Sequence, residues 1–242
     1  MTQTDKPQLE VNIAGVALSD QERKLLDQQP AASVEARLEK LQENLDATPA
    51  DRPVARARLD LDIAGLLLDL DRKDEAHKRA RPLIELLIEQ AQFEDAALAC
   101  QFTYLSGADD AVIALGQAAW LAVSYPIDPS LSANILGHII DETPDDADGA
   151  AVAAATAHFI ADLRADDHNR DELQLFTGAM LAQVARRHSN VETQSDFDAW
   201  VEKMELDQPD KFLIRLRNVI DVMTQDDWWF DREKLQREFT DS

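Results

Sequence analysis

An all-α fold is expected for this chain, from three features of its sequence. Turn-forming residues are scarce, with only 7 Gly and 9 Pro in 242 residues, whereas a sandwich or barrel needs turn signals roughly every 8–12 positions. Ala, Leu, Asp, Glu and Gln are abundant, and most of these favour helix. Apolar residues recur at intervals of three and four, the period of one helix face. With 45% hydrophobic residues the chain can also bury a real core. The expected architecture is about ten helices folded as stacked antiparallel hairpins, either α-solenoid-like or an irregular bundle.

Residues 1–32 read as a flexible N-terminal arm. Leu9, Val11 and Ile13 alternate briefly, and Ser19 with Glu22 forms a capping box for a short turn ending near Leu26. Residues 33–242 read as one helical domain, with a hairpin stack over 33–164 and a C-terminal part over 171–242. Ser33 is placed to cap a helix carrying Val34, Leu38, Leu41 and Leu45, which Thr48-Pro49 ends. A second helix starts near Pro53 and carries Leu59, Ile63, Leu66, Leu67 and Leu70. After the polar turn 71–74, helix resumes at Glu75, and Pro82 should kink or break it. A second turn, Ala91-Gln92-Phe93-Glu94, leads into an Ala-rich helix to Leu105, stopped by Ser106-Gly107. Asp109-Asp110 is placed to cap the next helix, and Asp128-Pro129 offers an N-cap followed by Pro in the first turn. Acidic residues 145–148 open a helix from Gly149 to Leu163. Leu173, Phe176, Met180, Leu181 and Val184 mark another. Ser195-Asp196 is placed to cap a helix with Trp200, Pro209 begins one with Phe212 and Leu216, and a last helix spans Asp231 to Phe239.

Two stretches, Leu70-Asp71-Arg72-Lys73-Asp74-Glu75-Ala76 and Gln92-Phe93-Glu94-Asp95-Ala96-Ala97, each place a small Ala shortly after a polar, acidic turn. Over residues 53–105 the chain thereby resembles tetratricopeptide-type helical hairpins. The resemblance implies hairpins that cannot bury their apolar stripes alone, stack for that reason, and leave a concave surface for a peptide or protein. Ala76 and Ala96 lie 20 residues apart, against roughly 34 in a tetratricopeptide array. What is implied is therefore stacked antiparallel helices rather than a regular array.

The net charge is −23, from 47 acidic and 24 basic residues. Such a field repels nucleic acid and anionic lipid, which recruit proteins through Lys and Arg. Solubility is the plain explanation of the excess, and a basic protein partner the sharper one. Cys100 is the only cysteine and lies in an apolar run, as a small buried hydrophobe would. The polar start Met1–Pro7 lacks a signal-peptide core, and no apolar stretch reaches the roughly 18 residues of a membrane span. A cytoplasmic location is expected.

Few constellations carry chemistry. Asp74-Glu75-Ala76-His77 spells a helicase box, but no phosphate-cradling GxxxxGK accompanies it. His138, Asp141, Glu142, Asp145, Asp146 and Asp148 gather oxygens and an imidazole around one helix end. This is the candidate metal cluster, with His138, Asp141, Asp145 and Asp148 as its ligands, although the same acids would cap the helix that follows. His158 among Ala, Phe159 and Ile160 reads as a hydrogen-bonded interior residue. Arg186-Arg187-His188 is placed to satisfy its own helix's last carbonyls or pair with acids. Trp228-Trp229-Phe230 is either a plug closing the helical stack or an aromatic anchor for a partner.

The leading expectation is a protein–protein interaction module, an adaptor, assembly factor or chaperone-like scaffold, with no catalysis and no cofactor. Two alternatives stand beside it. One is an all-α metal-dependent enzyme using residues 138–148, whose ligands should converge on one point. The other is a structural subunit of a larger complex.

Overall fold

The structure, a computed structural model, describes residues 31–240. The arm proposed for residues 1–32 and the turn from Ser19 to Leu26 lie outside them, except that Ala31 and Ala32 already belong to the first helix. Every regular element among the described residues is helical. In chain order these are α1 (Ala31–Ala47), α2 (Pro53–Asp69), α3 (Lys73–Ala80), α4 (Leu83–Glu89), α5 (Phe93–Leu105), α6 (Ala111–Ser124), α7 (Pro129–Glu142), α8 (Asp148–Arg164), α9 (Arg170–Ser189), α10 (Gln194–Lys203), α11 (Pro209–Thr224) and α12 (Arg232–Thr240). Pro82 separates α3 from α4, as its missing N–H requires. Taken as one broken helix, the pair leaves eleven, close to the expected ten.

Contacts divide the described chain into two compact units, residues 128–219 and residues 31–127 with 220–240. The polar stretch 165–170, expected to separate two parts, lies inside the first of these. There Arg170 donates to the carbonyls of Asp162 and Ala165 at 2.7 Å each, which holds α9 to the end of α8.

In the unit containing 31–127, α2 packs on both α1 and α3, and α5 on both α4 and α6. Ile63, Leu67, Leu45 and Ala76 form a buried cluster among α1, α2 and α3. The turns after α2 and after α4 close alike. Asp71 and Ala91 take left-handed backbone, with φ of 55° and 53°. The next amide then reaches back to the carbonyl five residues earlier, Arg72 to Leu67 and Gln92 to Leu87, at 2.8 Å. The following helix starts at once and buries its small residue fully, Ala76 in α3 and Ala96 in α5. A larger side chain there would hold the helices apart.

The unit 128–219 is built around α8. Its residues from Ala150 to Ala155 are all buried, as are Ala157 and Ala161, so α7 and α9 approach it closely. Gly137 of α7 continues this close packing, since a Cβ there would stand 3.3 Å from Met180 Cε of α9.

An arginine from elsewhere in the fold closes several helix C-termini, where the last carbonyls lack intrahelical partners. Arg56 donates to Leu45 and Thr48 at the end of α1. Arg187 donates to Ile140 and Thr143 at the end of α7, and Arg215 to Met204 after α10. Within the basic run at 186–188, Arg187 thus serves the neighbouring helix's carbonyls, while Arg187 and His188 also meet the acids Asp145 and Asp148, the other role expected of the run.

Four expected caps differ from the structure. Ser33 lies inside α1, which begins at Ala31. Asp110 makes no capping bond, because its carboxylate is held by His77 at 2.9 Å and Arg81 at 3.5 Å. Thr193, not Ser195, caps α10 by accepting from the Asp196 amide. Asp148 is drawn into side-chain pairs and leaves the start of α8 without a side-chain cap. Asp128 does cap α7, accepting from the amides of Ser130 and Leu131.

Candidate functional site

Two places hold residues that the sequence singles out, and the structure adds a third. The first is the aromatic string at the end of α11. Trp228, Trp229 and Phe230 leave the helix through two successive left-handed residues, Gln225 and Asp226, with φ of 48° and 64°. Alternate rings then meet the buried Trp120 of α6. The Trp228 centroid lies 5.9 Å from it and the Phe230 centroid 5.6 Å. Trp229 carries the Arg81 guanidinium 3.6 Å above its ring, and Arg232 lies 4.5 Å over Trp228. Beneath the string, the fully buried Gln117 donates from Nε2 to the Asp227 carbonyl and accepts at Oε1 from the Trp229 amide, both at 3.2 Å. Gly116 permits the approach, because a Cβ there would come within 2.8 Å of Thr224 Cγ2. All three aromatic residues remain partly exposed. The string is thus packed as a plug within its own unit, with its edges accessible.

The second place is the acidic cluster around the end of α7. Asp148 pairs with Arg215 at 2.9 Å and faces His188 Nε2 at 3.3 Å, while Asp145 lies 3.4 Å from Arg187. His138 stands on α7, and its imidazole pKa is lowered, chiefly by burial and against the pull of Asp141 and Glu142. Among the described residues no three or more His, Cys, Asp or Glu side chains gather as a cation would require. The convergence on which the metal-enzyme alternative depends is therefore not formed. Asp145 and Asp148 pair with arginine and histidine instead.

The third place lies at the α8–α9 corner and was not singled out by sequence. Leu163, Leu175 and Phe176 are 63%, 59% and 43% exposed. Phe176, expected on the apolar stripe of its helix, stands outside the buried face, which Leu173, Thr177, Leu181 and Val184 form. The adjacent pair Leu175-Phe176 was the available signal. Neighbouring residues on a helix point about 100° apart, so an apolar pair widens the stripe beyond what one packed face covers.

His158, on α8, is satisfied as expected. Its Nδ1 lies 3.0 Å from Thr177 Oγ1, and the Thr177 hydroxyl donates to the Leu173 carbonyl at 2.8 Å. The threonine proton being committed, His158 carries its own proton on Nδ1. Burial lowers the imidazole pKa, with Asp162 opposing. The unfolded chain therefore binds this proton more readily. The stability contributed is complete above the unfolded value near 6.5 and is lost as pH falls toward the lower folded value. Acidification also relieves the −23 net charge, so the comparison must be made against His158→Asn. Between pH 7.5 and 5.5, urea unfolding of the parent should lose stability relative to the variant, with a slope approaching at most about 1.4 kcal/mol per pH unit. Parallel pH profiles would refute this.

No helix among the described residues is long and apolar enough to cross a membrane. No protein-family model matches the chain, and no curated protein or solved structure matches it.

Proposed function

We propose that this chain is a protein–protein interaction module, an adaptor or assembly scaffold that holds a partner on helical surfaces. The observation that carries this reading is the α8–α9 corner. Leu163, Leu175 and Phe176 stand largely in solvent there, on a stretch of sequence that also holds Asp162, Asp166, Asp167, Asp171 and Glu172. A single exposed apolar residue needs no explanation, but three large ones on one charged stretch of the chain have the composition of a contact surface. Carboxylates outnumber arginines on this stretch, where Arg164 and Arg170 also lie, and that acidic excess favours a basic partner and speeds its encounter. The hairpins of α2 to α5 support the same class of function, because tetratricopeptide-like units characteristically offer surface rather than a reactive cleft. The net charge of −23 disfavours nucleic acid and anionic lipid as targets, and a cytoplasmic setting belongs to the same reading.

Affinity purification of the full chain at low salt should recover a basic protein in fixed stoichiometry, released as ionic strength rises. Leu175→Asp combined with Phe176→Asp should reduce that recovery at least about tenfold, since losing two apolar anchors commonly removes 1 kcal/mol or more each. The same pair should change folding stability by only about 0.5 kcal/mol per site, because both are exposed. Recovery of the chain alone would overturn the proposal.

A further inference from the structure

The aromatic plug has the contacts of a bound peptide. Gln117 is fully buried, yet both its hydrogen bonds go to main-chain groups more than a hundred residues away, at Asp227 and Trp229. A side-chain amide that grips a carbonyl and an amide two residues apart reads backbone and leaves the intervening side chain free. That is how main-chain bonds give affinity in peptide recognition while pockets for alternate side chains give specificity. The side chains are received as well: the single ring of Trp120 meets both Trp228 and Phe230, and the Arg81 guanidinium covers Trp229. The Arg81 guanidinium is itself braced by Glu85 at 2.9 Å and Asp110 at 3.5 Å, so this cover is held by the helices and not by the segment.

The tether is the unfavourable part. Gln225 and Asp226 both adopt left-handed backbone that non-glycine residues disfavour. A free peptide of the same sequence from 227 onward would make the same contacts without that strain. What holds the tethered segment in place is its high effective concentration.

The geometry points to a peptide-acceptor site formed by Gln117, Trp120 and Arg81, which the chain's own residues 227–230 fill and which yields to a partner's irregular segment bearing aromatic side chains at alternate positions. This rests on the interaction-module reading and names one of its surfaces and the chemistry of the ligand.

The probe is a fluorescein-labelled synthetic peptide copying residues 225–232. The protein is the full chain carrying Trp228→Ala, Trp229→Ala and Phe230→Ala, with circular dichroism confirming its helix content. Fluorescence anisotropy should show saturable binding, about tenfold or more tighter than to the unsubstituted chain, whose own segment competes. Adding Gln117→Ala should weaken binding by about tenfold. Absence of binding, or binding indifferent to Gln117, overturns the site. If the triple variant does not fold, hydrogen exchange on the unsubstituted chain decides. Excess peptide should accelerate exchange at the Trp229 amide, and no change at 100-fold excess refutes displacement. A dimer that the peptide dissociates would put a second copy in the site and overturn assignment to a separate partner. The module reading fails separately, when the purified chain captures nothing through its α8–α9 corner either.

Discussion

Trp120→Ala is expected to destabilise the chain by about 3–5 kcal/mol, the range for truncating a large buried aromatic. Trp120 is 5% exposed and meets three rings, those of Tyr125, Trp228 and Phe230. Its removal opens a void that the Tyr125–Phe93 stack, with centroids 3.6 Å apart, cannot collapse into without losing its own contact. Aromatic pairing adds about 0.5–1.5 kcal/mol beyond area for each good geometry. The loss should therefore sit toward the upper end. The damage is also directional. Without Trp120 the segment 227–230 keeps Gln117, the guanidinium covers, the Asp227 amide's bond to the Thr224 carbonyl and the Trp228–Phe230 contact, while the left-handed strain at Gln225 and Asp226 persists. Hydrogen exchange should rise first at Asp227 to Phe230 and in α6, ahead of α1 and α2. Urea unfolding measures the total, and a loss below about 1 kcal/mol would mean that the ring cluster does not hold the segment.

That the chain is helical was legible because helices write their period into sequence. The starts at Pro53 and Pro129, the break at Pro82 and the stop at Gly107 were legible too, since each rests on one residue's backbone restriction. Caps were less so. Whether Asp110 or Asp148 serves an adjacent amide depends on whether an arginine or histidine from a distant helix reaches it first, and that is a tertiary fact. The same limit applied to Arg187, whose role for the carbonyls of α7 needs a parallel neighbour that no local pattern announces. The acidic run at 141–148 looked like a convergent set because sequence shows proximity along the chain without direction in space. Trp228-Trp229-Phe230 stood out as a string. Its partners Gln117 and Trp120 did not, because a buried glutamine inside an apolar helix carries no periodic signature. The α8–α9 corner was hidden by the reverse effect, with Phe176 counted into a stripe whose inner face Leu173 and Thr177 fill.

The second large effect is expected at Phe212, on the part of α11 that belongs to the unit 128–219. Phe212 is 1% exposed, and its ring meets Phe159 of α8 edge-on with centroids 5.8 Å apart. Phe212→Ala should cost about 3–5 kcal/mol. The neighbouring tie, Arg215 to the Met204 carbonyl at 2.6 Å and to Asp148 at 2.9 Å, should cost less when cut. Arg215→Ala strands a carbonyl after α10 and an exposed carboxylate, for about 1–3 kcal/mol. The ordering matters, because it tests whether packing or the arginine closure holds α11 against α8. A double-mutant cycle separates the two. Phe212→Ala with Phe159→Ala should show coupling of about 0.5–1.5 kcal/mol, as rings in edge contact do. Phe212→Ala with Arg215→Ala should couple more weakly, because these side chains share no contact among those described. If Arg215→Ala proves the more damaging, polar closure of helix ends, and not the aromatic core, fixes α11 in this unit.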